Sequence, residues 1–134
     1  MRKIMKSFAF ISIFILLMVG CTMEGKGELT RIDVLIENQS DTHIQDKNTL
    51  SLLGNFSEQV KWKQNKVPSM SRKPDVKAIF YYEVKKNTPE RLYEYEIWFN
   101  DKAGTATIIS NDKNEGYGEL NKENASVLKN IFFE

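Results

Sequence analysis

Two carboxylates lie two positions apart in a strand-like segment and could do acid–base chemistry. Glu94 and Glu96 alternate with the apolar residues of RLYEYEIWF (residues 91–99), so both side chains point to one face of a strand. Paired carboxylates can divide acid and base roles when their surroundings separate their pKa values. The neighbouring strand-like segment presents three charged residues on its matching face: Lys77, Glu83 and Lys85. The alternative is therefore cross-strand pairing that only solvates a sheet.

The single histidine and one turn-like segment are weaker candidates. His43 follows Ser40 and Asp41, but residues this close in sequence rarely reach triad geometry, and the chain has no Gly-x-Ser-x-Gly motif. Residues 112–116 (DKNEG) resemble part of a calcium loop without its ligand spacing. The same residue types favour turns. We therefore predict exposed loops at both places, and no catalytic, metal or cofactor site there.

The N-terminal residues are typical of an export signal followed by a lipidation site. Three basic residues and no acid precede the apolar run at residues 8–19, which is shorter than the about 20 residues that cross a bilayer. Gly20 and Cys21 follow at once, and LMVGC resembles the lipobox of bacterial lipoproteins, in which the cysteine receives diacylglycerol. We predict a signal peptide over residues 1–20, cleavage between Gly20 and Cys21, and a flexible tether over residues 21–28.

The predicted anchor sets the expected location and partners. Two acyl chains hold a protein stably on a membrane, so we expect the mature chain at the cell membrane, on its extracellular face. Without residues 1–20 the chain keeps 16 of its 19 basic side chains and all 18 acidic ones. A nucleic-acid partner is not expected, because such binding needs clustered basic residues. No cofactor is expected either.

Alternation of apolar and polar residues predicts five strands. They cover residues 29–38, 75–85, 91–99, 105–110 and 117–120. Spacings of three and four predict a helix between the first two strands, with this apolar stripe: Leu50, Leu53, Phe56, Val60 and Trp62. A second helix begins after the N-cap Asn121.

Short turns between consecutive strands predict an antiparallel arrangement, and the amphipathic helices must cover one face of it. The predicted fold class is α+β: an antiparallel sheet of about five strands with two helices on one face, in the order β-α-β-β-β-β-α. It forms a single domain over residues 29–134.

The sheet face opposite the predicted core carries a mixed apolar patch. This outer-face patch consists of Ile79, Tyr81, Leu92 and Trp98. Its tyrosine and tryptophan are typical of surfaces that bind a partner. The alternative is that the loop at residues 63–74 folds over the patch, or that its members are exposed singly.

Several short motifs resemble the YhfM-like domain of small Bacillus-type lipoproteins. They are Pro74-Asp75-Val76, Tyr95-Glu96-Ile97-Trp98, Gly104, Gly118-Glu119-Leu120, and a final helix with Leu128 and Ile131. The resemblance covers most of the mature chain. It implies the location and the fold, and it supplies no catalytic residue.

Together these features lead to one main expectation and two alternatives. The main expectation is a non-enzymatic, lipid-anchored module on a Gram-positive cell, which binds an envelope protein or polymer through the outer-face patch. The first alternative is a small envelope hydrolase that uses Glu94 and Glu96. The second is an inhibitor or an immunity-type surface lipoprotein.

Overall fold

The computed structural model describes residues 26–63 and 68–133. The strands are β1 (Glu28–Leu35), β2 (Thr42–Ile44), β3 (Lys61–Lys63), β4 (Val76–Glu83), β5 (Arg91–Asn100), β6 (Thr105–Ser110) and β7 (Tyr117–Leu120). The helices are α1 (Lys47–Leu53), α2 (Phe56–Gln59) and α3 (Lys122–Phe133). The predictions for Gly20 and Cys21 lie outside the described residues. Lys26 and Glu28, predicted as part of the tether, belong to the folded domain.

All seven strands form one antiparallel sheet, in the order β2-β1-β4-β5-β6-β7-β3. The α+β class and the antiparallel sheet are confirmed, and the predicted count of five strands is wrong. The two missed strands, β2 and β3, have three residues each, which is too short for apolar alternation to be visible. They join the sheet through backbone pairing with β1 and β7.

The first predicted helix is also corrected. It is split into α1 and α2 around Gly54 and Asn55, and Trp62 lies in β3 instead of closing a helical stripe. Gly54 lowers helix propensity, which agrees with a break at this place. The second helix is confirmed, because the Asn121 side chain accepts a hydrogen bond from the Asn124 amide at 2.9 Å, as an N-cap does.

Strand order explains why the helices cover one face. β3 follows α1 and α2 in the chain but pairs with β7, at the sheet edge far from β1. The chain between β1 and β3 therefore crosses the sheet, and Leu50, Leu53 and Phe56 pack into the same core as the inward side chains of the strands. α3 adds Leu128 and Phe132 to this core. We call the helix-covered side the inner face.

Two connections and the start of β1 lie at one end of the sheet. Glu28, at the start of β1, pairs with Glu83, at the end of β4, and the connection at residues 84–90 then leads into β5. Ser110, at the end of β6, pairs with Tyr95, so the turn at residues 111–116 lies at this end as well. The hairpin at residues 101–104 lies at the opposite end, because it joins the other ends of β5 and β6.

Within the described ranges, every helix is too short or too polar to traverse a lipid bilayer.

Candidate functional site

A carboxylate is buried at the inner face. Glu115 is only 6% exposed, although it belongs to the polar turn between β6 and β7. Gly116 follows it with a φ of 78°, and its amide bonds to the carbonyl of Asp112 at 3.0 Å, so the turn closes tightly. This closure turns the Glu115 side chain inward instead of toward solvent.

Three side chains hold this carboxylate. The Tyr95 hydroxyl donates to its two oxygens at 3.0 and 3.2 Å, and the Ser110 hydroxyl donates to Oε1 at 2.7 Å. The Lys26 ammonium forms an ion pair with Oε2. A buried charge is costly unless it is paired and hydrogen-bonded, and these donors meet that need. We call this set, together with Tyr82, the Glu115 cluster.

Lys26 covers the cluster from the side of the N-terminal segment. Its ammonium also donates to the Tyr95 hydroxyl at 3.1 Å and lies 4.2 Å from the centre of the Tyr93 ring. Gly27, which follows, has a φ of 98°, and a Cβ there would lie 2.9 Å from the Cα of Val84. Only glycine fits this close crossing, which places the backbone of Lys26 beside the cluster.

Tyr82 carries an unused hydrogen-bonding group into this site. Its side chain is 1% exposed, and among the described residues its hydroxyl has no hydrogen-bond partner. Burial raises the pKa of Tyr82, and the nearby Glu115 charge raises it further. Burial and the Glu115 charge raise the pKa of Tyr95 in the same way. Both hydroxyls therefore stay protonated at ordinary pH and remain donors.

Aromatic rings surround the polar atoms of the cluster. Tyr93 lies edge-on to Tyr82 with ring centres 5.4 Å apart, and Phe80 lies edge-on to Tyr95 at 5.0 Å. Electrostatic interactions are stronger in such apolar surroundings than in water. The site thus combines a buried carboxylate, an ammonium group, and a tyrosine hydroxyl without a hydrogen-bond partner among the described residues. Groups of these types can serve as a general base and as hydrogen-bond donors to a developing negative charge.

The outer-face patch is only partly assembled. Tyr81 pairs with Leu92 across β4 and β5, and Ile79 lies on the same face. The Tyr81 hydroxyl bonds to Asp33 at 2.8 Å, and the Arg31 guanidinium stacks 4.0 Å from the Tyr81 ring centre. Leu92 is 52% exposed. Binding of a partner by these three residues stays a prediction.

Trp98 does not belong to an open patch. It is 4% exposed, and its indole N–H donates to the carbonyl of Arg72 at 2.8 Å. Arg72 in turn bonds to Asp75 and to the carbonyl of Phe99, at 2.6 and 3.0 Å, which fixes this segment over the end of β5. The alternative of a covering loop is therefore correct for Trp98, and Trp98 is removed from the proposed surface.

The paired glutamates share one face, as predicted, and it is the outer face. Glu94 pairs with Ile79 and Glu96 with Lys77 in the β4–β5 register. Their inward neighbour Tyr95 contacts Glu115 on the other side of the sheet. The pair is thus separated by the sheet from the Glu115 cluster. Glu96 lies opposite Lys77, as in the predicted cross-strand pairing, whereas Glu94 lies opposite an apolar residue.

His43 is exposed, as predicted, but it lies in β2 and not in a loop. Its Nδ1 lies 2.6 Å from Asp33, across the β1–β2 pair. Burial raises the pKa of Asp33, but hydrogen bonds from His43, Tyr81 and Arg31 outweigh burial and hold that pKa below its usual value. The cluster centred on Asp33 therefore ties the edge strand β2 to the sheet.

Glu115 and Tyr82 are candidate functional residues that the sequence analysis did not find. Glu115 was assigned to a turn, because residues 112–116 contain the residue types that turns require. One signal could have found the site: Tyr82, Tyr93 and Tyr95 all point to the inner face by strand alternation. Buried tyrosine hydroxyls normally need a polar partner, so this pattern indicates a buried polar group nearby.

The fold is similar to that of a solved structure. A solved structure described as a thioesterase-like protein from Clostridium sporogenes ATCC 15579 matches the chain with a TM-score of 0.55. The match covers 78% of this chain and 94% of that one, at 23% sequence identity. No family model matches the chain, and no curated protein matches it. The resemblance to the YhfM-like domain therefore stays a prediction.

This likeness corrects one expectation from the sequence. The domain was expected to be non-enzymatic, but the fold is shared with a thioesterase-like protein. The expectation rested on the outer face, where the apolar patch suggested binding and the charged residues suggested a solvated sheet. The buried carboxylate lies on the other face.

Proposed function

We propose that the protein is a small hydrolase that cleaves an ester or thioester bond of an acyl group, with Glu115 as the general base. The observation that carries the proposal is a carboxylate only 6% exposed, held by Lys26, Tyr95 and Ser110. Beside it lies the Tyr82 hydroxyl, which has no partner in the described part of the chain. The thioesterase-like structure supports the choice of an acyl bond. Glu115 replaces the Glu94 and Glu96 pair as the candidate base.

The proposed reaction uses groups that the cluster already holds. A water molecule attacks the acyl carbonyl carbon and gives its proton to Glu115. The carbonyl oxygen becomes negative and accepts a hydrogen bond from the Tyr82 hydroxyl. The bond to the leaving sulfur or oxygen then breaks, and the leaving group takes up the proton from Glu115. Ser110 and Tyr95 are positioning residues, because their hydroxyls orient the carboxylate.

Substrate needs a way in, and Lys26 is the group that must move. Its side chain is 23% exposed, against 7% for Glu115, so its ammonium can turn to water while the carboxylate stays in place. The ion pair would then open when substrate enters. The Tyr93 ring beneath the ammonium would become part of the acyl-binding wall.

The location is part of the proposal. The residue pattern of the N-terminus supports a diacylglyceryl thioether at Cys21, after cleavage behind Gly20. We therefore propose an enzyme held on the outer surface of a bacterial membrane, with the membrane as its first partner.

The test is an activity assay with the purified protein. Soluble substrates should include p-nitrophenyl acetate, p-nitrophenyl butyrate and acetylthiocholine, with p-nitrophenyl phosphate as the control for bond type. We expect turnover of the acyl esters or the thioester above the rate with heat-unfolded protein, and none of the phosphate ester. A protein that hydrolyses none of the acyl substrates would contradict the proposal.

A further inference from the structure

We infer that the substrate is an acyl ester or thioester of an amphiphile in the membrane, which reaches the Glu115 cluster from the bilayer side. The inference rests on the proposed function and adds the substrate class. Its basis is that Lys26, which covers the Glu115 cluster, the start of the folded domain and an exposed apolar and basic connection share one end of the sheet.

The short chain between Cys21 and Lys26 limits the distance between an anchor and the Glu115 cluster. Cys21 is five residues before Lys26, and five residues reach at most about 18 Å when fully extended. Lys26 itself lies over the Glu115 cluster. A lipid attached to Cys21 would therefore keep Lys26 within about 18 Å of the bilayer surface.

The place where the N-terminal segment enters the sheet determines which end an anchor would turn to the membrane. Gly27 lies against the backbone of Val84, and Glu28 pairs with Glu83, so the N-terminal segment enters beside the β4–β5 connection. The turn that carries Glu115 lies at this same end of the sheet. An anchor on this segment would turn this end, and not the hairpin at residues 101–104, toward the membrane.

The β4–β5 connection is the surface that would meet the bilayer. Val84 and Leu92 flank the connection and are 43% and 52% exposed. The charged residues of this segment are Glu83, Lys85, Lys86, Glu90 and Arg91. The Glu90 carboxylate is bonded to the Thr30 hydroxyl, which directs it to β1. Exposed apolar side chains next to lysines suit the interface of an anionic bilayer, where each lysine adds attraction.

The test uses the lipidated full-length protein on phosphatidylglycerol vesicles. One substrate, p-nitrophenyl palmitate, is embedded in the vesicles, and the other, p-nitrophenyl acetate, is soluble. The double variant Lys85→Glu and Lys86→Glu should lose about tenfold in turnover of the embedded ester and less than twofold with the soluble one. Lys102→Glu, in the hairpin at the opposite end, is the matched control and should change neither rate.

The outcomes separate this inference from the proposed function. If the double variant and Lys102→Glu hydrolyse the embedded ester at equal rates, the inference is overturned. Hydrolysis of the soluble ester would still support the proposed function in that case. Wild-type protein without soluble hydrolysis would overturn the proposed function. Amide exchange gives a readout without activity: residues 84–92 should exchange more slowly on phosphatidylglycerol than on phosphatidylcholine vesicles, with residues 101–104 unchanged. Equal exchange at both places would also overturn the inference.

Discussion

Changing Glu115 to glutamine should lower kcat/KM for ester or thioester hydrolysis by about a thousandfold, since general-base catalysis contributes about 10² to 10⁴. The amide has nearly the shape of the carboxylate and can still accept the hydrogen bonds from Tyr95 and Ser110. It cannot take a proton from water. Lys26 loses its anion, but its partly exposed ammonium can turn to solvent. Circular dichroism should therefore show a folded protein, and the hydrolysis assay should show little activity.

The controls for this variant come from the opposite side of the sheet. Glu94→Gln and Glu96→Gln make the same chemical change on the outer face of β5. Both should keep kcat/KM within about twofold of the wild type, since surface substitutions away from special features have effects near zero. A large loss in either of them, with Glu115→Gln fully active, would return the base to the pair first suggested by the sequence.

Gly118→Val should have the largest effect on stability and lower the free energy of unfolding by about 3 kcal/mol. A Cβ at Gly118 would lie 2.6 Å from the carbonyl oxygen of Lys61 and 2.6 Å from Cγ1 of Val60. The first contact is backbone of β3, which cannot move without losing its pairing with β7. Urea unfolding followed by tryptophan fluorescence measures the loss, because Trp62 lies in β3 and Trp98 in β5.

Gly54→Ala is the matched glycine control. Gly54 is exposed, has helical φ and ψ of −57° and −31°, and a Cβ there would meet only ordinary contacts at 3.5 Å or more. Alanine reduces the freedom of the unfolded chain, so this variant should gain about 0.5 kcal/mol. The same unfolding curves would contradict the close-approach argument if the two glycines responded alike.

Much of the fold was predictable because alternation is a local signal. The bounds of β6 and β7 agree with the prediction to the residue, and the inward residues of β4 and β5 are those expected from a period of two. β2 and β3 could not be predicted in this way. Three residues such as Lys-Trp-Lys become a strand only because β7 offers an edge to pair with, and that contact is not local in sequence.

The site was harder to predict, for a physical reason. Glu115 and Lys26 are 89 positions apart, and each lies in a polar segment that is normal for a turn or a tether. Their burial results from the closure of the turn at Gly116 and the chain crossing at Gly27, which three-dimensional packing determines. Glu94 and Glu96 were predicted as a pair because both belong to one strand and alternate with its apolar residues. Their spacing in the sequence places both on the outer face, but the lysine, serine and tyrosine side chains that hold Glu115 lie on the inner face.

We propose that the Glu115 cluster hydrolyses an acyl ester or thioester, and Tyr82→Phe tests this proposal most directly. The change removes a buried hydroxyl without a partner among the described residues, so it should raise the free energy of unfolding by about 1 kcal/mol. The same variant should lose at least about tenfold in kcat, because the developing charge on the substrate oxygen loses its donor. Full turnover in the stabilised variant would contradict the account, and the hydroxyl would then have no part in hydrolysis.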